Sequence, residues 1–392
     1  MDGTRRENQY LVESYVVFLF KSGWEFPARI FYIFAPCKIL IPMSLIPMSF
    51  SAHMRRMAIF VAVAMLSAVA AFGQVHTSDT YRYLLTREGA MDHLEYLTSE
   101  EVAGRESGTS QAMRTAEYIA ACMESYGVRP FRSVSFFQPF SLPTGKGGST
   151  SYTQAYRSVT GSSTGVKIEK KGHNVVGYLP SGRKNAPYVI VGAHFDHLGI
   201  IDGKVYPGAD DNASGVAALL ELARMFGKRH QERGDLEANI VFVAFDGNNF
   251  SLQGSKHFVS RLGIPQGSIT CMVNMDQIGS TLSPVGKNPE YLLVLGGNKL
   301  KGWQKGQLDF SNEYFGLGLE LDYSYYGSQD FYDIFYRLSD QQSFTAVGVP
   351  ALLFTSGITK HTNKESDSVD NLDVDVLVKR IDLIYRFIWL IL

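Results

Sequence analysis

Two carboxylates, Asp210 and Asp211, stand side by side in PGADDNASGVAALL, in a glycine-flanked turn that runs straight into a helix-like stretch. Asn212 or Ser214 is placed to cap that helix, so a capping loop accounts for both of these residues. It does not account for two adjacent acids that begin 14 residues after an HxD pattern. That pattern lies in AHFDH, where strand alternation puts His194 and Asp196 on one side and Phe195 on the other. A carboxylate two residues from an imidazole can fix its tautomer and aim it at a metal. Taken alone, HxD is a weak signal that a surface histidine would also give. Asp276 ends the run SITCMVNMD and adds a third acid at the same rim, although a lone strand-end aspartate is usually a turn residue. An imidazole and carboxylates make a donor set for a divalent cation, and a cluster of acids also suits calcium or no ion at all.

Such residues must be positioned by buried elements, and the sequence supplies them. PYVIVGAHFD, ANIVFVAFDG, SITCMVNMD and PALLFTS are short, β-branched and apolar on both faces, and the first three run into polar or acidic residues. Strands of this kind belong inside an α/β sandwich, with helices such as SGVAALLELARMF lying between them. The expected fold class is α/β: a three-layer sandwich with a mixed, mostly parallel sheet and helices on both faces. Ligands of such sheets bind beyond the carboxyl ends of the strands, where these acids fall. From Thr80 to Gly127 the pattern is helical, with RTAEYIAACMESYGV stopped by Gly127 and with GRESGTSQ as a turn. Residues 131–170 are polar and rich in Ser, Thr and Gly, consistent with strands and loops at one sheet edge. No internal repeat, low-complexity stretch or second sizeable domain is read. With 45% hydrophobic and 19% charged residues and a net charge of -1, the chain has an ordinary globular composition. Nothing in that balance favours nucleic acid or an anionic membrane as partner.

AHFDH, GADDNASG, LQGSKHF and MVNMDQIG, together with the GRESGT turn, resemble peptidase family twenty-eight, the co-catalytic zinc aminopeptidases of the bacterial leucyl aminopeptidase type. Glutaminyl cyclases and the protease-like domain of the transferrin receptor share that zinc-dependent exopeptidase fold. The resemblance runs from about Gly104 to the C-terminus, in order and spacing. It implies two zinc ions sharing a bridging aspartate. By position it makes Asp211 the bridge, His194 and Asp276 the other ligands of one zinc, and Asp196 the carboxylate that orients His194. The bond from Asp211 to Asn212 corresponds to one that is cis in many relatives.

The other half of the site departs from the family. Relatives carry two glutamates before the LxGS turn, a general base and then a ligand of the other zinc; FDGNNFSLQGS has Asn248 and Asn249 there. An amide does not titrate near neutral pH, so Asn248 cannot take a proton from a metal-bound water. Asn249 offers a neutral oxygen, a poor zinc ligand. The family's C-terminal ligand segment resembles GxHxDYHxxSDTxD. Aligned on Gly357, Ser366, Asp367 and Asp370 of GITKHTNKESDSVD, its histidine falls on Asn363, with His361 two residues earlier. The family's SDH turn reads Ser339, Asp340, Gln341.

The resemblance therefore implies a degenerate, catalytically impaired member that keeps at most one zinc, at His194, Asp211 and Asp276, and binds a peptide or protein in its cleft. A first alternative is an active single-metal hydrolase using Asp246, Asp340 or His361 on the metal-bound water. A second is a glutaminyl cyclase-like acyltransferase, which would need the half of the site that is lost.

The start of the chain bears on localisation. MRRMAIFVAVAMLSAVAAFG, residues 54–73, has two arginines, an apolar run from Ala58 to Ala71 and small residues before Gln74, the pattern of a secretory signal peptide. Residues 1–53 then read as a non-native or disordered extension ahead of a start at Met54, or else as a membrane-associated segment from about Tyr15 to Phe50. Residues 80–392 form the zinc aminopeptidase-like domain, expected in the periplasm or outside the cell and free of the membrane once the leader is removed. Cys37 goes with the leader, and Cys122 and Cys271 could pair in an oxidising compartment.

Overall fold

The computed structural model describes residues 12–18, 31–39, 79–143, 170–234 and 236–392. The leader expected at 54–73 and the stretch 144–169 lie outside them. The chain divides into two units. One comprises Met1–Thr80 with Gly302–Gln307, and in it β1 (Val12–Phe18) pairs antiparallel with β2 (Phe31–Ile39). The other comprises Tyr81–Lys301 and Leu308–Leu392.

In the second unit α1 (Arg87–Thr98) and α2 (Ser110–Ser125) lead into β3 (Arg129–Pro130), β4 (Phe137–Ser141), β5 (Lys171–Leu179) and β6 (Tyr188–His194). A small hairpin, β7 (Gly199–Ile201) and β8 (Lys204–Tyr206), precedes α3 (Gly215–Arg233). Next come β9 (Asn239–Phe245), α4 (Gln253–Ser260), β10 (Ile269–Met275), β11 (Tyr291–Leu295), α5 (Gly302–Tyr314), of which the part from Leu308 onward belongs to this unit, and β12 (Glu320–Asp322). The chain continues through α6 (Gln329–Phe335), α7 (Gln341–Thr345), β13 (Ala351–Thr355) and α8 (Val374–Ile391).

The four apolar runs are β6, β9, β10 and β13, and they lie parallel as neighbours in the order β13-β10-β6-β9. Antiparallel pairings flank them: β11 on β13, and β5 on β9 with β3 and β4 beyond. The sheet is thus parallel at its centre and mixed overall. Every residue of β9 is buried, as a strand covered on both faces requires. Val241, Val243 and Phe245 pack with Phe258 of α4 and Phe344 of α7 on one face. On the other side α1, α3 and α8 pack together. Burial of each such side chain stabilises the fold by about 1.5–3 kcal/mol. Among the described residues no helix is long and apolar enough to cross a membrane. Cys122 and Cys271 are both free thiols, so the pairing considered for them is not made.

The parallel strands share one direction, so their carboxyl ends open on a single rim. His194 is the last residue of β6, Asp276 follows β10 and Asp246 follows β9. Asp210 and Asp211 lie in the turn before α3. At Gly215 an added Cβ would stand 2.4 Å from Asn212 Oδ1 and 2.5 Å from the Met275 carbonyl oxygen, so glycine is what lets this turn lie against the end of β10.

Candidate metal centre

His194, Asp211 and Asp276 come together at the rim. Their ligand atoms all lie within 4.8 Å of one another. His194 Nε2 is 3.4 Å from Asp276 Oδ1 and 3.5 Å from Asp211 Oδ1. Donors placed tetrahedrally about a zinc ion, at about 2.0–2.2 Å from it, are separated by about 3.4 Å. The trio is therefore spaced to take one such ion.

The ligand turn is laced in place by its neighbours. Asp367 accepts the backbone N–H groups of Asp210 (2.9 Å) and Asp211 (3.1 Å). Asp210 turns away from the cleft and accepts Gly279 N–H (2.7 Å) and the Ser214 hydroxyl (3.2 Å). Asn212 Oδ1 accepts Gly215 N–H (3.1 Å) and Gln277 N–H (3.0 Å), and its amide donates to the Met275 carbonyl (2.9 Å). Of the two expected helix caps, Asn212 makes the bond and Ser214 does not, because the Ser214 hydroxyl is engaged with Asp210. The Asp211–Asn212 peptide bond is cis. Arg105, in the GRESGT turn, is fully buried and donates to the carbonyls of Leu97, Phe195, Pro207 and Gly208. It ties the strand end carrying Asp196 to the turn carrying Asp211. Burial lowers its pKa to about 10, which leaves it cationic at neutral pH.

Asp196 acts differently from the expectation. His194 Nδ1 is 3.1 Å from the main-chain carbonyl of Asp196 and 3.8 Å from its carboxylate. The imidazole is thus oriented by the carbonyl, which leaves Nε2 to face the acids. The Asp196 carboxylate accepts the Ser107 hydroxyl (3.0 Å) and the N–H groups of Asn248 (2.9 Å) and Asn249 (3.2 Å). Donors from the turn after β9 outcompete the imidazole for it.

Asn248, Asn249, Asn363 and Gln277 line the same cleft as the trio. The Asn248 amide donates to Asp340 (3.0 Å), and the Asn249 amide points at Asp196 (3.5 Å). The remaining walls are Tyr325, Phe335, Leu338, Leu353 and Ile358, around about 160 Å³ of space. Leu338 and Ile358 are half exposed, and Phe331 and Ile334 continue the Leu338 stripe along α6 and its end. The other groups considered for a base lie elsewhere. His361 Nδ1 is 2.8 Å from Ser366 Oγ, outside the cleft lining. Asp246 accepts His173 N–H (2.9 Å) and Gly247 N–H (2.8 Å) and borders a different cavity beside Lys170. Asp340 is buried behind Asn248, and burial raises its carboxyl to about 6.

Electrostatics of the trio follow from three acids around one imidazole. Burial would lower the His194 pKa, but Asp276, Asp211 and Asp196 override it and hold it up at about 10. Burial raises Asp211 to about 8, with Asp276, Asp367 and Asp210 adding repulsion against the pull of His194. Burial would also raise Asp276, yet the His194 charge keeps it below the ordinary carboxylate value. His197 is held neutral by burial, with Arg105 and His194 nearby.

Sequence reasoning had no role for Arg105, Asp367, Tyr325 or Gln277. Arg105, Gln277 and Asp367 stand inside GRESGT, MVNMDQIG and GITKHTNKESDSVD, where nothing in the local spacing marks them.

The sequence model of peptidase family M28 matches residues 174–388, more than half of the 392-residue chain. The BOS complex subunit ncln of Danio rerio is 32% identical over 108 residues, 26% of this chain and 19% of its own length. The chain spans less than a fifth of the curated relatives it first matches, with 15% and 14% for the next two. The zinc aminopeptidase BSAP of Bacillus subtilis superposes with a TM-score of 0.57 at 16% identity, over 78% of this chain and 95% of that one. The glutaminyl cyclase of Porphyromonas gingivalis gives 0.56 at 15% identity, over 78% and 98%. Those two likenesses show the fold, and the family match identifies this chain as a member of peptidase family M28.

Proposed function

We propose that this protein is an exported, catalytically impaired member of its family that holds at most one zinc ion and uses its cleft to bind a peptide or a protein. The observation that carries this reading is the pair Asn248 and Asn249. Both stand in the cleft wall, and both amides face buried carboxylates. An amide neither accepts a proton near pH 7 nor serves zinc well, so positions 248 and 249 supply neither a base nor an anionic ligand. His194, Asp211 and Asp276 would hold the ion; zinc bound there would supply Lewis acidity. An apolar wall that continues into the exposed side chains of Leu338, Ile334 and Phe331 suits an extended peptide or a partner's apolar surface. The relative named as a complex subunit is in keeping with a protein partner.

A second reading, a single-metal hydrolase, draws on the close grouping of the trio. Of its three candidate bases, Asp246 and His361 are engaged outside the cleft, and the buried Asp340 carboxylate meets the cleft only through the Asn248 amide that it accepts. A cyclase reading needs ligands at positions 249 and 363, where both residues are asparagine. Release of N-terminal residues from a peptide panel tests these readings together. The binding reading expects none from wild type. Turnover that Asp211→Ala abolishes would establish the single-metal hydrolase instead, and cyclisation of an N-terminal glutamine would establish the cyclase.

A further inference from the structure

His197 closes the AHFDH run, and its ring is 1% exposed. Neither ring nitrogen has a hydrogen-bond partner. A buried imidazole left this way is uncommon and calls for a reason. The ring cannot swing freely: His197 N–H bonds to the Arg105 carbonyl (3.3 Å), and the Gly208 backbone lies so close that an added Cβ would stand 2.5 Å from two ring carbons. Its Nδ1 faces Asp211 Oδ2 at 3.8 Å. His194 Nε2 faces the other oxygen, Oδ1, at 3.5 Å. Among the described residues no hydrogen bond reaches either oxygen of the Asp211 carboxylate. A carboxylate that gives one oxygen to an ion normally has its other oxygen held by a donor. The last torsion of aspartate is broad, so the Asp211 carboxylate can turn toward Nδ1.

We propose that His197 is a positioning residue for Asp211: its Nδ1–H holds the second carboxylate oxygen, so that the first is presented to a single ion beside His194 and Asp276. The inference rests on the single-ion reading of the site.

Cobalt(II) binding to the full chain tests it, by calorimetry and by the visible spectrum of the loaded protein, with wild type, His197→Leu and His197→Asn compared. His197→Leu should weaken cobalt binding by about 10–100-fold and alter the spectrum. His197→Asn, whose amide N–H takes the place of Nδ1–H, should stay within about threefold of wild type. Unchanged cobalt affinity in His197→Leu overturns the role of His197 alone. Equal weakening in both variants overturns it too, since the ring would then matter only as packing. Failure of wild type to bind cobalt overturns the single-ion reading and this inference with it. Nitrogen-15 spectra of zinc-loaded wild type need no variant to fold: an Nδ1–H tautomer at His197 is expected, and an Nε2–H tautomer refutes the assignment.

Discussion

Lowering the pH from 7 to 6 should strip zinc from this protein far more steeply than an ordinary histidine site allows. Binding needs His194 neutral at Nε2 and both carboxylates ionised, so each proton held by the empty trio must leave when the ion enters. Burial opposes the charge on His194, but the surrounding acids hold its pKa at about 10, and burial with like charges holds Asp211 at about 8. Asp276 is held low and gives up no proton. At pH 7 the empty trio therefore carries about two protons, and affinity rises with pH by up to about 100-fold per unit. Both raised values lie above 7, so the sign is fixed. Affinity climbs through neutrality, flattens to one proton per ion above about pH 8 and stops climbing above about pH 10. A histidine titrating near its usual value of about 6.5 would change affinity only about threefold between pH 6 and 7. Chelator competition at pH 6, 7 and 8 measures the slope, and calorimetry in buffers of different ionisation enthalpy counts the protons. Release of less than one proton per ion at pH 7, or a threefold change across that unit, would refute the electrostatic reasoning.

Arg105→Met should leave the Leu97, Phe195 and Pro207 carbonyls without their side-chain donor, the Gly208 carbonyl keeping Ala213 N–H, and cost roughly 3–5 kcal/mol; a lower denaturation midpoint with an unchanged slope is the readout, and wild-type stability would show that the guanidinium does not tie the loops together. The double variant Asn249→Glu with Asn363→His should raise zinc from one ion to two without restoring turnover, because position 248 still lacks a base worth about 10²–10⁴-fold in rate. Metal analysis checks the first half, and adding Asn248→Glu should then bring hydrolysis back. A double variant that still holds one ion would show that positions 249 and 363 do not face a second metal.

The centre of the fold was readable because β6, β9, β10 and β13 are buried on both faces and so appear as unbroken apolar runs. The antiparallel flanks were harder. β5 carries Asn174 in its middle, a polar residue kept there because its side chain accepts Asp246 N–H and donates to the Gly254 carbonyl. At the site, strand alternation pointed to His194 and Asp196 on one side, whereas β6 ends at His194 and Asp196 lies beyond it. It could not tell that the Asp196 carboxylate would be taken by the turn 52 and 53 residues later in the chain. Arg105 reaches carbonyls 90 to 103 residues away, and Asp367 reaches back 156 and 157 residues to the ligand turn. Contacts of that range depend on how strands are ordered in the sheet, which local spacing does not encode. The asparagines at 248, 249 and 363, by contrast, needed only a family pattern to be seen as departures.

The most direct test of the account is the zinc content of the purified protein, taken on the same sample as an aminopeptidase panel. One tightly bound ion per chain at most, without release of N-terminal residues, is the predicted result. Two tightly bound ions with turnover would contradict it, because side chains other than Asn248, Asn249 and Asn363 would then have to supply the second ion's ligands and the base.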